Sequence, residues 1–335
     1  MRIKKTTSHH LHSTLWRWFV YSAYAVVMIF ILSFGWRLSR VWNQRTWFGV
    51  EPYRLLILHG KRGEEPTALE LITLWPDNFK MVSLSIPPEL RVVTVGGYGT
   101  YRIAALVNLG RIEGVGDRLL NDSVSLALGV PIHQLLWQTN SNFDINPARW
   151  DLLQKGLIGN QSLKEVSEII TAMGNTSKNN IEKVDLSKRN VIKTMVEADG
   201  TLSLAIEPAL IDHLMMEKIS AVWKDAALTQ VALINASGKP QMAALWSKFP
   251  RIGGYDVVSV TDQLDMVNQT QILFSDEKIK NGLVGLVLQR MFPRAQVSVS
   301  NTSNYRAQVA IILGLDSWQW LNERNEYLKK MPNQR

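Results

Sequence analysis

Residues 54–92 read RLLILHGKRGEEPTALELITLWPDNFKMVSLSIPPELRV: three apolar runs separated by polar turns. Arg54–Leu58, Leu69–Leu74 and Lys80–Ile86 have the length and apolar content of strands. Trp75-Pro76-Asp77-Asn78 carries turn chemistry, so the second and third runs form a hairpin. Pro87-Pro88 ends the third strand, because proline has no N–H for the ladder. A glycine-rich loop, GGYG at 96–99, follows. Asp117–Leu128 then has Leu120, Val124, Ala127 and Leu128 on one helical stripe, with Gly129 as its stop. Val130–Gln138 returns to the sheet. Strands alternating with helices in this way predict a mixed-sheet α/β domain.

Downstream, Ser162–Gly174 is an amphipathic helix and 175–190 reads as a long polar loop. Val191–Glu197 and Leu202–Ile206 flank Asp199-Gly200, a hairpin signal. Pro208 opens a helix to about Asp225. From Ala226 a second unit begins, with strands Gln230–Asn235, Tyr255–Thr261, Gln271–Phe274, Gln296–Ser300 and Gln308–Leu313. Helices over Met242–Phe249 and from Asp276 to Phe292 complete a β-α-β-β-α-β-β order, a small α+β domain of split-βαβ kind. The expected organisation is 51–225 as one module, 226–318 as a second, and 319–335 as a frayed polar tail.

Upstream of these modules lies a different kind of segment. Trp18–Trp36, WFVYSAYAVVMIFILSFGW, carries no charge. As a helix it is about 28 Å long, near the thickness of a bilayer's hydrocarbon core. Trp18 and Trp36 suit the two interfaces, and Arg17 and Arg37 bracket the span. This predicts an N-terminal transmembrane helix, uncleaved, between a basic tail at 1–17 and a juxtamembrane link at 37–50. Four basic residues precede the span and three follow it, a bias that puts the N-terminus in the cytoplasm and the bulk outside.

Charge and composition narrow the function. The chain has 335 residues, 37 Lys and Arg, 29 Asp and Glu, and a net charge of +8. Seven of the basic residues, and no acid, fall in the first fifty, which leaves 30 basic against 29 acidic residues in the body. That near-neutral body argues against a nucleic-acid partner. Cysteine is absent, which excludes disulfides, thiolate metal sites and cysteine nucleophiles. No G-x-S-x-G, HExxH or P-loop occurs, and GGYG lacks the spacing of a dinucleotide fingerprint. His9, His10 and His12 read as part of a basic tail, His59 as a turn residue and His133 as a strand residue without a visible partner. Gly110, Gly114 and Gly116 read as loop glycines.

The run MVSLSIPPELRV (81–92), followed by GGYG (96–99) and RIAA (102–105), resembles the LytR-CpsA-Psr family of envelope proteins. Members read like VSLLSIPRD, PGYG and KINAA. LALGVPIHQLLW (126–137) is similar to that family's LGIPIDYYV. VALINASGKP (231–240), YDVVSV (255–260), TQILF (270–274) and VAIILGLD (309–316) resemble the LytR C-terminal domain, in the family's order behind one span. The resemblance implies a membrane-tethered extracytoplasmic protein that moves glycopolymers from a polyprenyl-pyrophosphate lipid to peptidoglycan, with Mg²⁺ on the pyrophosphate. That chemistry needs arginines for the pyrophosphate and carboxylates for the metal.

The sequence departs from the family at its reactive positions. The G-x-D after the first strand is His59-Gly60-Lys61, and the Arg-Ser-Asp before the second falls at about Glu65-Pro66-Thr67. SIPRD is SIPPE, with Pro88 in place of the arginine and Glu89 in place of the aspartate, while Arg102 keeps the charge of the family's lysine. The candidate substrate-binding residues are therefore Glu89 and Arg102, with Arg62 as a displaced substitute. They are expected to converge in one cleft beside an apolar pocket. Glu89, Arg91 and Arg102 also have a plain reading as solvated charges beside a strand. No cofactor is expected, since Mg²⁺, held through Glu89, would enter only with retained family activity. Three readings stay open: a binding protein for a cell-wall glycopolymer or lipid-linked pyrophosphate glycan with degraded catalysis, an active phosphotransferase, and a structural or partner-binding membrane protein.

Overall fold

The computed structural model describes residues 51–75, 79–139, 163–196, 200, 202–220, 224–263 and 265–329, with Tyr21, Ser22, Tyr24, 26–29 and Ser33 upstream. Those upstream residues are helical and exposed. Arg17, Trp18, Trp36 and Arg37, which bound the expected span, lie outside the described residues. Among the described residues no helix is long and apolar enough to cross a membrane.

The apolar runs at the start of the body become a sheet. Strand β1 (Tyr53–His59) is buried along its whole length, as its nearly continuous apolar sequence requires of a strand covered on both faces. It pairs antiparallel with β2 (Ala68–Trp75), which pairs antiparallel with β3 (Lys80–Ile86). After Pro87 and Pro88 the chain leaves this sheet as β4 (Leu90–Thr94) and folds back through the 96–99 loop as β5 (Gly99–Arg102). Helices α1 (Ala105–Ile112) and α2 (Arg118–Leu128) follow, the second stopped by Gly129 in the left-handed region at φ 69°. Strand β6 (Gln134–Gln138) then returns parallel to β1.

Helix α1 is absent from the sequence reading, and it contains Gly110, read there as a loop glycine. A Cβ on Gly110 would overlap the Gly116 carbonyl, so the glycine lets the α1–α2 turn fold back tightly.

Helix α3 (Leu163–Asn175) comes next. The polar segment expected as a loop contains strand β7 (Ile181–Asp185), parallel to β3 at the sheet edge. Its polar content is that of an edge strand, with Val184 as its buried anchor and Leu186 buried just beyond it. The first sheet among the described residues thus runs β6-β1-β2-β3-β7. Strands β8 (Ile192–Val196) and β9 (Leu202–Ile206) form the expected hairpin, and β9 lies parallel to β4, giving a second sheet β5-β4-β9-β8. Helix α4 (Pro208–Lys218) stops well before Asp225. Ile219 turns fully into the core, and its carbonyl accepts a 3.5 Å hydrogen bond from the Arg54 guanidinium. A short α5 (Lys224–Ala227) leads onward.

The remaining elements are β10 (Gln230–Asn235), α6 (Met242–Ile252), β11 (Asp256–Asp262), β12 (Gln271–Phe274), α7 (Glu277–Asn281), α8 (Leu283–Met291), β13 (Gln296–Val299), β14 (Val309–Leu313), α9 (Leu315–Asn322) and α10 (Arg324–Lys329). Their sheet runs β11-β10-β14-β12-β13. The single helix expected from Asp276 is two. Asp276 caps α7 by accepting from the Ile279 N–H at 2.8 Å, and Gly282 at ψ 166° breaks the run before α8. The stretch expected as a frayed tail is helical through Lys329, with Tyr327 only 1% exposed.

The two expected modules share apolar packing. Val95, Val115, Leu119 and Leu126 belong to the same buried cluster as Val231, Trp246, Phe249 and Tyr327. Glu51 and Arg290 form a 2.8 Å ion pair across the same seam.

Candidate functional site

The turn after β3 positions the first candidate. The Leu90 N–H donates to the Pro87 carbonyl at 3.1 Å, and the Ala104 N–H donates to the Pro88 carbonyl at 3.0 Å. These bonds fix Glu89, whose side chain is exposed, at the end of β4. Arg91 and Arg102 are register partners across the antiparallel β4–β5 pair, so their side chains rise from one face.

All three line a cleft of about 900 Å³. Tyr98, Thr100 and Tyr101 complete its polar wall, and Ala105, Leu202 and Leu204 form its apolar one. The Arg91 guanidinium also donates to the Thr100 carbonyl at 3.1 Å. Arg102 lies 3.8 Å from the Glu65 carboxylate, which accepts from Asn108 on α1 at 3.4 Å.

Two of the three sequence candidates therefore meet. Arg62, exposed in the β1–β2 connection, is not among the cleft's lining residues. Its place is taken by Arg91, weighed in the sequence only as a solvated charge. The signal that singles it out is the β4–β5 register, which no local pattern carries. Glu65, in the Glu65-Pro66-Thr67 stretch singled out in the sequence, forms a half-exposed pair with Arg102.

Tyr98 stays a neutral phenol. Burial first, then the Glu113 carboxylate, raise its pKa above the usual 10.0, and its hydroxyl donates to Glu113 at 3.3 Å. Glu113 is held in turn by Arg324 of α10, whose guanidinium lies 5.7 Å from the Tyr98 ring centre.

The donor set does not fit a resident Mg²⁺. The cleft lining opposes one carboxylate to two guanidiniums, and among the described residues no group of three or more His, Cys, Asp or Glu could hold a metal. The arrangement suits an anion instead. Two like charges placed directly opposite on a strand pair repel, and a bound phosphate oxygen pair removes that repulsion while accepting from both.

The other titratable residues raised by the sequence have structural surroundings. His59 is fully buried, with Nε2 3.6 Å from the Glu70 carboxylate. His133 has the partner its sequence did not show: Nδ1 accepts from the Arg54 backbone N–H at 3.1 Å, and its ring stacks on Tyr53 at 5.1 Å. Desolvation, then the Arg54 and Arg290 guanidiniums, hold its pKa well below 6.5, so the imidazole is neutral.

The fold and cleft define a mixed α/β chain with an open cleft walled on one side by two arginines. No family model and no curated protein matches the chain. Among solved structures it is similar to the transcriptional regulator yvhJ from Bacillus subtilis, at 13% identity and a TM-score of 0.37 over 49% of this chain and 94% of that one. B. subtilis TagV gives 13% identity and a TM-score of 0.35 over 49% and 94% of the two chains. The LytR-CPS2A-psr family protein YwtF (TagT), with bound octaprenyl pyrophosphate lipid, gives 12% and 0.32 over 52% and 92%.

Proposed function

We propose that this protein binds the phosphate or pyrophosphate group of a cell-wall glycopolymer or polyprenyl-linked glycan in the Glu89–Arg91–Arg102 cleft. We propose further that it does so without metal-assisted turnover, tethered by Trp18–Trp36 on the outer side of a membrane. The observation that carries the reading is the direct opposition of Arg91 and Arg102 inside a cleft with an apolar wall. The arginines would take phosphate oxygens in bidentate fashion. Leu202 and Leu204 offer apolar surface to a prenyl chain, and the half-exposed Tyr101 ring offers a stacking face to a sugar. Glu89 would accept from a sugar hydroxyl.

The test is direct binding of farnesyl pyrophosphate to the full chain in detergent, with and without EDTA. Wild-type affinity should be indifferent to EDTA. Arg91→Ala and Arg102→Ala should each weaken it about 10- to 100-fold, the worth of a charged hydrogen-bond donor. Absence of binding at millimolar probe would leave the partner-binding reading in its place. Mg²⁺-dependent release of phosphate that is lost in Glu89→Ala would replace the proposal with a phosphotransferase.

The tether rests on the uncharged span and its Trp and Arg flanks. A reporter enzyme that folds only outside the cytoplasm, fused after residue 335, should be active; activity of a cytoplasm-only reporter at the same point would remove it.

A further inference from the structure

The loop that forms the cleft's polar wall is built against the far end of the chain. The Gly96 N–H donates to the Trp320 carbonyl at 3.2 Å, and the Gly97 N–H donates to the Leu321 carbonyl at 3.0 Å. A Cβ on Gly97 would fall on the Asn322 carbonyl, so α9 and the 96–99 loop touch backbone to backbone. Tyr327 of α10 is buried against Gly96, and its hydroxyl is 3.4 Å from Asp122 on α2. One residue of α10 reaches the cleft wall itself. Arg324 pairs with the Glu113 carboxylate and lies over the Tyr98 ring. Glu113 receives both Arg324 and the Tyr98 hydroxyl, and its side chain is only 10% exposed, whereas that of Arg324 is 58% exposed.

These exposures separate position from stability. An exposed guanidinium contributes little to folding. Its loss, however, leaves a nearly buried carboxylate facing a neutral phenol alone, and it removes the cation from one side of a ring whose hydroxyl is already fixed. Tyr98 is one residue from Gly99, where β5 begins, and β5 carries Tyr101 and Arg102 into the cleft.

We infer that Arg324 is a positioning residue for the cleft: through Glu113 it sets the Tyr98 ring and the β5 residues that meet the ligand. The C-terminal helices thereby tune the ligand site in the first sheets. This rests on the phosphate-binding reading above.

The experiment uses the full chain in detergent and compares wild type, Arg324→Ala, Arg324→Lys and Arg102→Ala. Two quantities are read: affinity for farnesyl pyrophosphate, and amide hydrogen exchange over 96–102. Arg324→Ala should exchange faster over 96–102 and bind about tenfold more weakly, the scale of one charge-assisted hydrogen bond. Its thermal midpoint should fall by only a few degrees, because Glu113 keeps the Tyr98 hydroxyl and some access to water, and Arg324→Lys should restore both quantities. Unchanged exchange in Arg324→Ala overturns the inference whether or not the probe binds. Faster exchange with unchanged affinity, while Arg102→Ala loses binding, overturns it as well. A wild type that binds no probe sinks the phosphate reading and, with it, a ligand-positioning role; an exchange change in that case would mark Arg324 as a structural brace.

Discussion

At the scale of single residues, the molecule is governed by close approaches that side chains would block. Gly97 has φ 72° and sits under the Asn322 carbonyl. An alanine there is strained in its own backbone and cannot be relieved by rotating a neighbouring side chain, because the obstacle is backbone. Gly97→Ala should therefore destabilise the fold by about 1–3 kcal/mol, read as a lower urea midpoint. Gly99→Ala is the control. It shares the left-handed backbone but meets nothing within 4 Å, so its cost should be the smaller. The candidate charges obey a different rule. The sequence offers Glu89 and Arg102 as candidates through the order of the SIPPE and RIAA strings. It does not offer Arg91, since a residue's cross-strand partner depends on register, and register is set by the whole pairing of β4 with β5.

At the scale of elements, apolar content is legible in the sequence and edge position is not. Strands β1, β2 and β3 bury most of their side chains and announce themselves as apolar runs. Strand β7 buries little beyond Val184, so its sequence looks like a loop until β3 is present to pair with it. That dependence gives a test. Val184→Asp would put an unpaired carboxylate where the valine is 2% exposed, costing at least ~2 kcal/mol. Amides of β7 should then exchange quickly while those of β1 and β2 remain protected. Uniform loss of protection across all three strands would mean that β7 is no separate unit. Helix ends are hidden for related reasons. Gly282 ends a helix locally, by an extended ψ, whereas Ile219 ends one by entering the core, and Ile219 leaves no proline or glycine in the sequence to mark the stop.

At the scale of the whole molecule, the seam between the first sheet and the C-terminal unit is both apolar and charged. Glu51 is nearly buried and faces Arg290, while Arg54 is fully buried, where desolvation lowers its pKa from 12.5 to about 10 and the Glu51 carboxylate opposes that shift. His133 lies against the same two arginines and is neutral. Its folded pKa is below that of the unfolded chain. As pH falls through 6.5 the unfolded state therefore takes up the proton first, and stability declines until the folded imidazole also titrates. Urea midpoints should fall between pH 7.5 and 5, and His133→Phe should flatten that slope; an equal slope in the variant would assign it to other groups. Glu51→Gln should cost about 1–3 kcal/mol by removing the carboxylate charge that pairs with Arg290 and faces the buried Arg54.

What the sequence determined by itself is local: where apolar runs rise, where prolines and glycines stop them, and that an uncharged, Trp-bracketed stretch precedes a neutral body. These follow from propensity and from the transfer of apolar surface, which act residue by residue. Only the tertiary structure decided that Arg91 opposes Arg102, that β7 completes a sheet, and that the last helices are docked against the cleft wall. The first depends on strand register, which composition does not fix even within one hairpin; the other two depend on an edge pairing about a hundred residues apart and on backbone contacts more than two hundred residues apart, which no local window of sequence contains.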